Sequence, residues 1–164
     1  MKTDVSHSPI PRWLWVLAFI CMAIILITAF NATLSRLAAD DYAFAKYAKT
    51  HDVVAAVSHW YNTWTGSYSS MFMHALLAQF PAEAIGVFLG ALVLLWWLGT
   101  WWLVYEVGVR LNWTRPRTIS FIIADVLCAI TIDSLPNIYD TFYWISGALA
   151  HVASLVGALY FVAA

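Results

Sequence analysis

The stretch at 87–105, "VFLGALVLLWWLGTWWLVY", carries four tryptophans and no charged side chain. It sits inside an apolar run from about Ala84 to Val107. A helix needs roughly 17–25 such residues to cross the hydrocarbon core of a bilayer. The rest of the chain fits a lipid solvent. Of 164 residues, 63% are hydrophobic and 10% are charged, against about 25% charged in a soluble domain. The mean hydropathy is +0.76. A net charge of −1 supplies no basic field for nucleic acid, which excludes that class of partner. Cys21 and Cys128 both lie within apolar runs and read as small hydrophobes rather than as a disulfide or metal pair.

Working outward from that segment, three further apolar runs stand out, at about Trp13–Leu34, Ile119–Leu135 and Ile145–Ala164. The expectation is an all-α membrane protein, one transmembrane domain over 1–164 with four spans. The run at 119–135 is the shortest and carries Asp125 and Asp133. It is taken as a span because it must connect its neighbours. The first run is longer than the roughly 7–15 residues of a signal-peptide core; "LAA" at 37–39 leaves cleavage as an alternative.

Lys and Arg in short loops set orientation. Lys2 and Arg12 precede the first run, and Arg110, Arg115 and Arg117 crowd the loop "GVRLNWTRPRT". Both belong on the cytoplasmic side, so residues 35–83 and 136–144 face outward. The longer outer loop holds Arg36, Lys46 and Lys49. From Phe44, apolar residues recur at 47, 54, 57, 61 and 64, close to helical spacing. Thr50 with Asp52 fits a cap that splits the segment into two interfacial helices, with Tyr and Trp at headgroup depth. Gly66 interrupts, and "SYSSMFMHALLAQF" resumes a helix as far as Pro81. Glu83 marks the next helix start.

The outer loop opens with Asp40 and Asp41, two of only nine acidic residues in the chain. Such a pair has three readings. It can be a general base within reach of an acceptor hydroxyl. It can be part of an oxygen site for Mg or Mn, although two carboxylates are too few alone. Or Asp40 can cap the helix that starts near Asp41, with Asp41 favoured at its positive end. Spacing alone puts the cap first.

Further motifs add a resemblance. The acidic pair at the outer end of the first span is followed by "W-Y-x-x-W-T-G-S-Y-S-S" and later by an outer "F-Y-W-I-S-G" entering the next span. This order resembles the N-terminal part of the GT-C class of integral membrane glycosyltransferases, in the bacterial branch whose first outer loop reads roughly "DDxxxA…W…W-x-G-R-Y-x-S". The resemblance implies transfer of a sugar from a polyprenyl-phosphate donor to an acceptor glycan or lipid hydroxyl at the outer face of a bacterial inner membrane. It implies that Asp41 or Asp40 acts as base or as a ligand of a divalent cation, with Asp41 the first choice for base. Trp64, Gly66, Tyr68 and Ser69 match the first aromatic element; Tyr143, Trp144 and Gly147 match the second. Tyr61, Trp64, Tyr68, Ser69, Tyr143 and Trp144 are the implied substrate-binding residues, with anchoring at the interface as the alternative role for any single ring. Ser67 stands where that branch usually carries Arg, a natural phosphate partner. Enzymes of the class have many more spans, so the chain is expected to be part of a longer enzyme and inactive alone.

Other residues keep simpler readings beside functional ones. Asp125, mid-span, is a functional candidate by default or a protonated structural acid. Asp133 and Asp140 read as loop ends that alternatively join the outer site. His59 and His74 lack ligand spacing for a metal. The sequons at Asn31 and Asn112 fall in a span end and on the cytoplasmic side. Two other functions compete with transfer: a small transporter or channel subunit built on Asp125, and a non-catalytic membrane scaffold.

Overall fold

A computed structural model of the chain describes residues 9–64 and 66–164. Lys2 and Thr65 lie outside the described residues. The elements are α1 (Arg12–Thr33), α2 (Asp41–Thr50), α3 (Val53–Thr63), α4 (Tyr68–Leu77), α5 (Ala82–Arg110), α6 (Pro116–Asp133) and α7 (Ile145–Ala163). Before α7, residues Tyr139–Tyr143 form a wide π turn, and a second wide stretch, Ala148–Ala153, lies within α7. Among the described residues every regular element is helical.

Three helices, α1, α5 and α7, are long and apolar enough to cross a membrane. Their packing is that of lipid-solvated helices. On α1 the inward stripe is Ala18, Cys21, Ile25, Ala29 and Ala32, while Phe19, Ile20, Ile27 and Phe30 point outward. Small residues face the bundle and large ones the lipid, because apolar burial gains little where the solvent is itself apolar. The seam between α1 and α5 shows why. Gly86 and Gly90 stand one turn apart against α1; a Cβ on Gly86 would land on the Thr33 carbonyl, and one on Gly90 would lie 2.9 Å from the Ala29 carbonyl. Only glycine permits that backbone approach.

Helix α6 starts with Pro116 at its first turn, a position that tolerates the missing N–H. It packs against both α1 and α5. With Arg117, Asp125 and Asp133 among its residues, it is not one of the three helices apolar enough by composition to cross. Its buried face includes Asp125, 0% exposed, whose Oδ1 accepts from the Trp97 indole N–H at 2.7 Å.

The segment between α1 and α5 folds into a layer of three short helices. Asp52 caps α3 by accepting from the Ala55 N–H at 2.8 Å. Thr50, in contrast, turns its hydroxyl back onto the Lys46 and Tyr47 carbonyls at the end of α2. The helices meet on a seam of Ala45, Ala48, Ala56, Ala75 and Ala78. Gln79 stitches it, donating to the Ala48 carbonyl at 3.0 Å. Tyr47 is held between the rings of His51 and His59, with centroids 4.1 and 4.2 Å away.

Candidate functional site

The acidic pair divides at the turn into α2. Ala39 adopts a left-handed backbone with φ of 46°, which costs an L residue roughly 1–2 kcal/mol. That turn sends the two carboxylates in different directions. Asp41 points inward and is 0% exposed, while Asp40 is exposed. Asp40 occupies the cap position of α2, yet its side chain makes no capping hydrogen bond. Helix α2 does begin at Asp41.

Both oxygens of Asp41 are engaged. Oδ2 accepts from the Ala38 N–H at 3.0 Å, and Oδ1 accepts from the Ser146 hydroxyl at 2.7 Å. Ser146 belongs to the "F-Y-W-I-S-G" element, so the two quoted motifs, 105 residues apart, meet in one bond. The Ser146 oxygen also lies 3.1 Å from Nε2 of His74, on α4. Burial pushes the Asp41 carboxyl above the usual carboxylate range. The Ser146 and Ala38 donors and the nearby Trp144 indole oppose that shift, and the Asp40 charge adds to it. The indole N–H of Trp144 is buried but not aligned as a hydrogen bond to any acceptor. His74 is 5% exposed, and burial lowers its pKa to about 4, so it is neutral near pH 7.

Gly147 makes the approach of Ser146 possible. A Cβ there would strike the Asp140 carbonyl. The chain folds tightly at this point because the π turn brings the Trp144 N–H to the Tyr139 carbonyl at 2.8 Å. π turns recur at functional positions in helices.

Beside the pair lies a cavity of about 160 Å³ lined by Asp40, Ala43, Phe44, Trp60 and Trp64. Phe44 meets Trp60 edge-on with centroids 4.8 Å apart. Trp64 is 66% exposed at its rim. Of the other aromatic candidates, Tyr61 and Tyr68 line a separate apolar groove of about 380 Å³ with Val54, Val57 and Phe72. Ser69 lines a third space of about 240 Å³ with Ser70, Met73 and Ser154. Tyr143 is half-buried against the bundle core. Thus Trp64 shares a cavity with Asp40, and Trp144 lies by Asp41, while Tyr61, Tyr68 and Ser69 face different spaces.

Asp140 is exposed and takes a local bond from Asn137 Nδ2 at 2.7 Å; Asp133 is exposed at the end of α6. Among the described residues no group of three or more His, Cys, Asp or Glu is placed to hold a metal. Asp41 already spends both oxygens within the protein, so Asp40 is the carboxylate left over. That donor set is too small for Mg or Mn by itself.

The sequence does not single out Ser146, and it offers His74 only as a weak metal ligand rather than as a partner of the acidic pair. Ser146 was in view inside the second motif, but its partner is fixed only by the fold. His74 carried one weak signal, a polar residue on the buried face of α4 alongside Met71, Ala75 and Leu77. Phe44, read in sequence only as the start of an apolar recurrence, walls the cavity together with Trp60. No family model, no curated protein and no solved structure matches the chain.

Proposed function

We propose that the chain forms the acceptor-side portion of a membrane glycosyltransferase. In this reading a sugar moves from a polyprenyl-phosphate donor to an acceptor hydroxyl at the outer face of a bacterial inner membrane. Helix α6 is then a fourth span, and the N-terminus lies in the cytoplasm. The observation that carries the reading is the bond between Asp41 and Ser146, which joins the acidic motif to the second aromatic motif at one site.

In this reading the labour divides between the two carboxylates. Asp41 is closed off and fully bonded, which suits an anchor. Asp40 is exposed at the mouth of the aromatic cavity, which suits the group that meets substrate. The acceptor oxygen attacks the anomeric carbon, its proton passes to Asp40, and the bond from that carbon to the phosphate oxygen breaks. Polyprenyl phosphate leaves with the electron pair. Trp64, exposed at the rim, and the half-buried Trp60 offer ring surface to the apolar side of a sugar, with Phe44 packed behind them. Arg36, Lys46 and Lys49 are the cations of residues 35–83. Arg36 directs its guanidinium to the Ser35 carbonyl at 2.8 Å. Lys46 and Lys49, both exposed on α2, are the cations of this segment left to meet a leaving phosphate. A cation path through Asp125 has less support, since that carboxyl is enclosed and bonded to Trp97.

The test is transfer by the intact protein in proteoliposomes with a lipid-linked sugar. Asp40→Asn is expected to lower kcat by roughly 10²–10⁴-fold, the range for losing a general base, with insertion unchanged. Wild-type rates in Asp40→Asn and Asp41→Asn alike would remove the reading.

A further inference from the structure

With Asp41 ionised, the chain of bonds through Ser146 sets where its protons sit. The Ala38 N–H can only donate, so Asp41 Oδ2 is an acceptor. Asp41 Oδ1 receives the Ser146 hydroxyl at 2.7 Å. A serine has one proton, and here it is spent on the carboxylate. The Ser146 oxygen therefore remains an acceptor toward His74. For the 3.1 Å approach of Nε2 to be a hydrogen bond, Nε2 must carry the imidazole proton. Phe44 packs edge-on to the ring, with centroids 5.2 Å apart, and holds its plane.

We propose that His74, as its Nε2–H tautomer, and Ser146 are positioning residues of the acidic site. They hold the Asp41 carboxylate against the start of α7 and, through the fixed Ala39 turn, set Asp40 at the mouth of the aromatic cavity. Neither touches substrate. The inference rests on the reading in which Asp40 meets the acceptor. Three separate elements, α2, α4 and α7, supply the chain, so it fixes the outer layer relative to the membrane bundle at one point. A side chain that merely filled space would need no polar atom here; two adjacent polar groups in register with a buried carboxylate do.

The experiment combines kinetics with nitrogen NMR on the intact protein in nanodiscs. Imidazole nitrogens are labelled, and His74 is assigned among the five histidines by its loss in His74→Gln. The expected spectrum has Nε2 protonated and Nδ1 bare near pH 7. Ser146→Ala and His74→Phe are expected to lower kcat by up to about 100-fold, the scale of a small misplacement of reacting groups. KM stays within about twofold, as expected when the lost interaction acts on the chemical step. Ser146→Thr keeps the hydroxyl, and His74→Gln keeps an N–H donor at an equivalent reach; both should recover most of the rate. An Nδ1–H tautomer, or full kcat in both Ser146→Ala and His74→Phe, would overturn the proposal. The spectrum needs no turnover. An inactive wild-type protein with an Nε2–H imidazole would overturn the transfer reading and leave the positioning chain standing. An active protein with an Nδ1–H imidazole would overturn the chain alone.

Discussion

Acid should loosen the outer layer through His74. The imidazole is buried between α4 and the start of α7, and its pKa falls from 6.5 to about 4 because burial penalises the charged form. Above pH 6.5 the side chain is neutral in both folded and unfolded chains and contributes no pH dependence. Between about 6.5 and about 4 the unfolded chain binds a proton that the folded chain refuses. Stability therefore falls as pH falls through that window. The gap corresponds to at most about 3 to 4 kcal/mol, at about 1.4 kcal/mol per pKa unit. Asp41 acts with the opposite sign. Its raised pKa means that its linked stability is present below 3.8 and is lost as pH rises through the folded value. Comparing wild type with His74→Gln isolates the histidine, since glutamine does not titrate. Protein in nanodiscs would be melted at pH 7.0, 5.5 and 4.5, with tryptophan emission as the signal. The wild-type protein should lose stability relative to His74→Gln with each step. Parallel profiles for the two proteins would refute the burial argument.

Two further outcomes follow from packing and capping. Gly86→Val places a side chain on the Thr33 carbonyl, so α1 and α5 must separate; a cost of 3 kcal/mol or roughly that, the upper range for overpacking, should appear as a fall in folded yield, while Ala91→Val on the exposed side of α5 should not do this. Asp52→Ala removes the bond to the Ala55 N–H and should destabilise α3 by about 1 kcal/mol, read as faster amide exchange in its first turn, with Asp52→Ser close to wild type.

The parts of the fold that were legible in sequence are those set by local pattern. The run around Val87–Tyr105 is too long and too apolar to be anything but a lipid-solvated helix, and α5 extends over it from Ala82 to Arg110. The recurrence at 47, 54, 57 and 61 belongs to α2 and α3, and the break between them is the Asp52 cap. The wide turns near α7 are hidden because 136–144 reads as a short loop and Ile145–Ala164 as an ordinary apolar span; the close passage of Gly147 by Asp140 is a tertiary fact. The acidic pair was visible, but the opposite directions of its two members were not. Those directions depend on a left-handed Ala39, a residue with no preference for that conformation. Ser146 and His74 lie 105 and 72 positions from their partners, beyond any local signal.

The alanine seam of the outer layer has a consequence for how that layer is held. Alanine gives up no side-chain entropy on packing, yet each one buries only a methyl group. The seam is therefore closely packed but contributes little apolar burial per residue, and the layer also depends on its rings, Phe44 against Trp60 and Tyr47 between His51 and His59. The bundle beneath buries larger side chains, with Leu89, Val93, Trp96 and Ile145 in its core. The Asp41–Ser146 bond crosses the boundary between the two units. There the bond acts with Leu77, which reaches from α4 into the bundle core, so the small-residue layer is tied to the larger core by one polar and one apolar contact.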